Sequence, residues 1–300
     1  MTARVYESPA AFKEALEHRV RARTPKDAIV ARTRQLLVFD RFLARIAAVF
    51  GDAATLKGGV ALELRIERAR TTKDVDLRLV GSPDDLLAQL QRAARHDLGD
   101  FMTFEIAPDA GHPEIEAEGM KYDGLRFRTE CRLAGKLYGQ RFGVDIAFGD
   151  PMFGDADLLV ADDVLGFAGI SPPTMRVYPI ETHIAEKLHA YTLPRKRPNS
   201  RIKDLPDLAL LAGSHPIDAA RLRGALEQTF GFRATHAVPS ALADPPATWA
   251  PAYAALARED QLPWATLADV YAAARNFLDP VLATEPLATW DPAMWLWAKR

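Results

Sequence analysis

Cys131 is the only cysteine in the sequence, so no internal disulfide can form and stability must come from packing and polar contacts. No stretch approaches the roughly 20 consecutive apolar residues that a membrane-spanning helix requires, which argues against a membrane partner. The opening MTARVYESPAAFKEALEHRV mixes charged and apolar residues throughout and lacks the apolar block of a secretory signal. From these absences a reducing, bacterial-type cytoplasm is the expected location. A large excess of either charge is lacking too. With 38 Lys and Arg against 40 Asp and Glu, the formal net charge is -2, which excludes a surface coated in cations for indiscriminate nucleic-acid binding. The sequence has no internal repeat and no low-complexity segment. What is there is a globular composition, 300 residues of which 48% are hydrophobic and 26% charged, enough for one large domain or two smaller ones.

Residues 9 to 50 read as helices, because Phe12, Leu16 and Val20 recur at four-residue spacing and Leu36, Phe39, Leu43 and Ile46 at three to four. After Gly51 the pattern becomes strand, glycine turn, helix, strand: Ala54-Thr55-Leu56, Gly58-Gly59, Val60 to Ile66, then Val75 to Val80. That is an α/β beginning. Ser82 is placed to cap a helix over Pro83 to Arg95. Strands are expected over Phe101 to Ile106, Leu125 to Leu133 and Phe142 to Phe148. In the last of these, Phe142, Val144, Ile146 and Phe148 share a face and Asp145 points the other way. From Tyr178 the signal turns helical, with Ile180, Ile184, Leu188 and Tyr191 on one stripe, a stop before Pro194, and further helices over Leu205 to Ala212, Ala219 to Phe230 and Leu267 to Leu278. Three parts are expected: an N-terminal helical segment (1–50), an α/β core (51–175) and a C-terminal helical domain (176–300). All five tryptophans fall between Trp249 and Trp297, the mark of a packed tail or a docking surface.

Chemistry concentrates in Lys57-Gly58-Gly59 and in Thr72-Lys73-Asp74-Val75-Asp76. Residues two apart in a strand project to the same face, so Asp74 and Asp76 set two carboxylates side by side. A divalent cation relieves their repulsion, and magnesium favours one or two carboxylates with room left for substrate phosphates. An Asp-x-Asp pair alone is a weak signal, since exposed aspartates are common at strand ends; the glycine pair tips the reading, because glycines let a backbone approach phosphate and the amides at a helix start attract anions. Asp145, lone in an apolar strand, is the candidate third carboxylate of a metal site. Asp150 reads as a turn residue. Lys187 lies beside the apolar stripe of its helix, which aims its ammonium inward, where it can hold a triphosphate. Five cations, Arg195, Lys196, Arg197, Arg201 and Lys203, fall within nine residues and form either a solvated loop or a patch for a polyanion.

These motifs resemble the AbiEii or MenT-type nucleotidyltransferase toxins of bacterial toxin-antitoxin and phage-defence systems. The resemblance rests on Lys57-Gly58-Gly59-x-Ala61-Leu62, Arg70-x-Thr72-x-Asp74-Val75-Asp76-Leu77, Val144-Asp145-Ile146-Ala147-Phe148-Gly149-Asp150, Glu186-Lys187-Leu188 and Lys203-Asp204-Leu205-x-Asp207-Leu208. It covers roughly residues 50 to 212. It implies a nucleotidyltransferase fold with a small mixed sheet, N-terminal helices and a C-terminal helical region. It also implies metal ligation by Asp74 and Asp76, second-motif roles for Lys187 and Asp204, Thr72 near the metal pair, and a cognate antitoxin. Val60 departs from the pattern, since many nucleotidyltransferases carry a hydroxyl residue after the glycine pair. Asp204 and Asp207 also suit helix capping.

The expected reaction is transfer of a nucleoside monophosphate from a triphosphate to RNA, foremost the 3′ end of tRNA, with Mg2+ or Mn2+ as cofactor and growth arrest as outcome. Lys57, Gly58, Gly59, Thr72 and Lys187 would hold the nucleotide, and the basic loop from Arg195 to Lys203 the acceptor. A small-molecule or protein hydroxyl as acceptor, or a non-catalytic interaction protein whose site has decayed, are the alternatives. The sequence leaves oligomeric state open.

Overall fold

The computed structural model describes residues 4–24, 29–66, 72–82, 84–114, 124–196 and 198–299. Helix α1 (Pro9–Arg23) starts where the Ser8 hydroxyl accepts from the Ala11 amide and Pro9 presets the first turn, and its stripe of Phe12, Leu16 and Val20 is fully buried. Helix α2 (Val30–Phe50) stops at Gly51, whose φ of 52° suits glycine, and the chain enters β1 (Ala54–Lys57). There follow α3 (Gly58–Arg65), β2 (Asp74–Leu79), α4 (Leu86–Ala94), β3 (Met102–Pro108), β4 (Gly124–Leu133), β5 (Lys136–Leu137), β6 (Phe142–Phe148), β7 (Asp157–Val160) and β8 (Thr174–Val177).

These strands form one mixed sheet in the order β3-β4-β6-β2-β1-β8-β7, with β5 completing a hairpin on β4. The β2–β6 and β1–β8 pairs are parallel and the rest antiparallel. Period-two alternation gives the sheet two different faces. Leu56, Val75, Leu77, Phe127, Val144 and Ile146 turn to the side covered by helices, where Phe142 meets Phe39 and Phe42 with ring centroids 5.2 and 5.4 Å apart. The opposite face carries Lys57, Asp74, Asp76, Arg126 and Asp145. Beneath α2, Asp100 is gripped by Arg41 and Arg45, each at 2.7 Å, in a setting from which solvent is excluded.

A second hydrophobic cluster joins Leu62 of α3 to α5 (Ile180–Thr192), α6 (Asp204–Ala212), α7 (Ala219–Arg233), α8 (Ala250–Glu259) and α9 (Leu267–Leu282). This region is not wholly helical as expected: β9 (Ile217–Asp218), β10 (Leu287–Asp291) and β11 (Leu296–Lys299) make a three-stranded sheet. The tryptophan-rich stretch is packed there, with Trp290 buried against Phe277, Trp295 and Trp297. The first cluster runs from Phe12 to Val177, so α1 and α2 share their core with the sheet.

Two expectations are corrected. Helix α4 begins at Leu86, later than expected: Asp85 adopts a left-handed φ of 57°, and the Ser82 hydroxyl accepts from the nearby Asp84 amide at 3.1 Å instead of capping the helix. Pro83 lies outside the described residues. Gly58 and Gly59 are not a turn ahead of a helix but the first two residues of α3 itself. Among the described residues, no helix is long and apolar enough to cross a membrane.

Candidate active site

Strand register assembles the site. Lys57 on β1 pairs with Asp76 on β2, Asp76 with Asp145 on β6, and Asp145 with Arg126 on β4. Across strands about 4.8 Å apart this makes a row of cation, carboxylate, carboxylate, cation on the open face of the sheet. Asp74 sits one step along the same face, opposite Gly143, whose amide donates to Asp74 Oδ1 at 3.2 Å. Burial first, and the neighbouring Asp145 carboxylate second, push the Asp76 pKa up to about 6, while Lys57 and Lys187 pull the other way.

The glycine pair is packed onto these carboxylates. Gly58 has a φ of 68°, and a Cβ added there would fall on the Asp76 carboxylate. A Cβ on Gly59 would stand 2.5 Å from the Thr72 hydroxyl. Thr72 is held by its amide, which donates to Glu63 Oε1 at 2.8 Å. Val60, by contrast, points into the core at 1% exposure. The hydroxyl that the residue after the glycines lacks is therefore present at the same turn on Thr72. Arg70, part of the same motif, lies outside the described residues.

The three predicted carboxylates share a face but do not close into a three-ligand cage. Both oxygens of Asp145 are taken by the Arg126 guanidinium, at 2.7 and 2.6 Å, and among the described residues no three His, Cys, Asp or Glu side chains converge on one point. The donor set nonetheless suits a divalent cation. Asp74 and Asp76 supply the one or two carboxylates that magnesium prefers, and such an ion would offset both the burial and the Asp145 repulsion that raise the Asp76 pKa.

Helices α5 and α6 bring the remaining groups. The Lys187 ammonium lies 2.7 Å from Asp207 Oδ2 and 3.5 Å from Asp204 Oδ1. Asp207, which suited a capping role in the sequence, is instead the nearer and fully buried partner of Lys187, and α6 has no side-chain cap at Lys203. Asp150, read as a turn residue, is buried and bonds the Lys57 ammonium, which also lies 3.3 Å from Glu186. The segment between α5 and α6 carries the basic loop. Arg195 donates to the Ala190 carbonyl at 3.1 Å, Arg201 lies 3.9 Å from Asp204, and Lys196 and Lys203 are exposed. Arg197 lies outside the described residues.

Of the groups around the candidate site, Arg126 and Arg233 were missed by sequence reasoning, while Asp150 and Glu186 stood in the quoted motifs without a site role. The only signal for Arg126 was its place among the alternating arginines of β4. Arg233 gave none, because the stripe of its helix was traced only to Phe230.

Glycine amides at a helix start, an aspartate pair on the adjoining strand and inward lysines thus lie together in one candidate site. The family model of the nucleotidyl transferase AbiEii toxin, of type IV TA systems, matches residues 41–295, and the chain belongs to this family. Among solved structures, MenT4, a nucleotidyltransferase toxin from Mycobacterium tuberculosis, is similar at a TM-score of 0.59 and 16% identity, covering 94% of this chain and 92% of that one. JHP933 from Helicobacter pylori aligns at a TM-score of 0.41 and 17% identity, over 70% of this chain and 81% of that one. None of the curated proteins matches the sequence. Family membership makes the chain an enzyme using a nucleoside triphosphate and a divalent metal, with a cognate antitoxin as partner, and sets aside the non-catalytic alternative raised by Val60.

Proposed function

We propose that the enzyme transfers a nucleoside monophosphate from a triphosphate to the 3′ acceptor end of tRNA, releasing pyrophosphate, blocking translation and arresting growth in the cytoplasm. The observation that carries this reading is the in-register pair Asp76 and Asp145 beside the Gly58-Gly59 helix start. Phosphoryl transfer demands positioning and charge neutralisation more than covalent chemistry, and this site offers both. Asp74 and Asp76, joined by Asp145 once it leaves Arg126, would hold Mg2+ or Mn2+. Bound there, the ion would neutralise the triphosphate and acidify the attacking hydroxyl. The amides of Gly58 and Gly59 and the Thr72 hydroxyl receive phosphate oxygens. Lys57 and Lys187 add positive charge, and Asp204 and Asp207 fix the Lys187 ammonium. Once released from Arg126, Asp145 or the bound metal would help take the proton of the attacking hydroxyl. The loop cations Arg195, Lys196, Arg201 and Lys203, with Arg197 of the same sequence run, would guide the acceptor strand, a contact that weakens with salt. In its host the enzyme serves phage defence.

The internal bond of Arg195 and the proximity of Arg201 to Asp204 favour a second reading, in which the acceptor is a small molecule or a protein hydroxyl. Incubating the protein with each labelled triphosphate, Mg2+ and total tRNA separates the two. Label on tRNA that disappears in Asp76→Ala supports the first reading. RNA left unlabelled with all four nucleotides removes it. Neutralising Arg195, Lys196, Arg197 and Arg201 should cripple transfer to RNA and spare a small acceptor.

A further inference from the structure

Behind the Gly58-Gly59 start of α3, two cations and two carboxylates meet in a setting nearly closed to solvent. The Lys57 ammonium bonds Asp150 and lies 3.3 Å from Glu186 Oε1. Arg233, the last residue of α7, donates to that same Glu186 oxygen at 2.8 Å and stands 4.0 Å from the other Asp150 oxygen. Its second nitrogen lies 3.3 Å from His189 Nδ1, so the guanidinium is held from two sides. The Arg233 and Asp150 side chains are 6% and 3% exposed. Arg233 belongs to the helical region of the second cluster and Lys57 to the sheet, and nothing in the reaction as derived so far uses Arg233.

We propose that Arg233 is a positioning residue for the nucleotide site: by sharing Glu186 and Asp150 with Lys57 it balances their charge, so that the Lys57 ammonium can also engage a triphosphate at Gly58. The inference rests on the reading that the triphosphate sits at the Gly58-Gly59 start of α3. With Arg233 the two cations and two carboxylates cancel. Without it, one lysine faces two carboxylates, Asp150 buried and Glu186 largely so, and the cluster carries a negative charge beside the place where a polyanion must bind. Both consequences oppose binding: Lys57 is drawn toward the carboxylates, and the local field repels phosphate. The loss falls on triphosphate affinity and KM more than on kcat, because Arg233 does not touch the reacting atoms.

Calorimetry with magnesium and each nucleoside triphosphate, paired with steady-state kinetics, tests this on the full chain. Arg233→Met should weaken binding and raise KM by about tenfold or more with a smaller change in kcat, and Arg233→Lys should recover most of the loss. The deciding variant is Arg233→Met combined with Glu186→Gln, which restores equal charge with Lys57 and Asp150 alone. It should return affinity to within about threefold of wild type, although it adds a second lesion. Wild-type affinity in Arg233→Met, or a double variant as weak as the single one, overturns the inference. Should Arg233→Met fail to fold, Glu186→Gln decides by itself: tighter triphosphate binding supports the inference and unchanged or weaker binding overturns it. Wild-type binding that Asp76→Ala leaves untouched would instead mean that the triphosphate lies elsewhere, a failure of the site reading distinct from a failure of Arg233.

Discussion

Asp76 and Asp145 stand opposite each other in register on two parallel strands, carboxylate beside carboxylate, with Lys57 and Arg126 at the outer ends of the row. Burial, then Asp145, raises Asp76 from an ordinary value of 3.8 to about 6. The folded state therefore holds a proton that the unfolded chain releases between these values. Its contribution to stability is greatest below pH 3.8, falls as pH rises to about 6, and stays low above that. Asp76→Asn removes the charge, so it should stabilise the metal-free protein by about 1–2 kcal/mol at pH 8, after allowance for solvent screening at a half-buried site. The gain should vanish near pH 4, and transfer activity should be lost. Thermal melts at the two pH values, alongside an activity assay, check all three outcomes.

Gly58→Ala should be inactive and less stable by about 1–3 kcal/mol, through strain at positive φ and displacement of the Asp76 carboxylate. Denaturant titration measures the first effect and metal binding the second. An alanine variant with wild-type activity would contradict the close packing of Gly58 on Asp76.

Lys187→Met leaves the charge of Asp207 buried without its nearest cation and should cost about 3–5 kcal/mol in addition to activity. Adding Asp207→Asn should recover much of the stability and none of the activity. Equal losses of stability in the single and double variants would show that the ion pair is not what the mutation breaks.

Burial alone would raise the Asp100 pKa, but Arg45 and Arg41 outweigh it and hold the carboxyl below its usual range. The stability this supplies is present above the unfolded pKa of about 3.9 and is lost as pH falls through the lower folded value. Asp100→Ala strands two buried guanidinium groups and should cost about 3–5 kcal/mol with no direct effect on the site. Comparing its urea midpoint with its specific activity when folded separates the two.

What could be read from the sequence is what repeats over short distances. Asp74, Asp76 and Asp145 were legible because a period of two fixes which face a strand residue takes, and the helices because Phe12, Leu16 and Val20 keep their spacing. The partners were not, because ion pairs between distant segments leave no periodic trace: Lys57 and Glu186 are 129 residues apart, and Glu186 and Arg233 47. Strands β7, β8 and β9 were missed for a related reason, being too short, at four, four and two residues, for alternation to register. The delayed start of α4 turned on the left-handed backbone of Asp85, which Ser-Pro-Asp-Asp does not announce.

The Trp290 indole donates to the Ala212 carbonyl at the end of α6, and β10 pairs with β9 just beyond it. The helix that carries Asp204 and Asp207 thus leans on residues made about eighty positions later. Because nascent chains fold from the N-terminus onward, a ribosome must have released residue 290 before that helix gains its full support. Whatever depends on Asp204 and Asp207 therefore also depends on Trp290 being in place, although that indole touches neither of them.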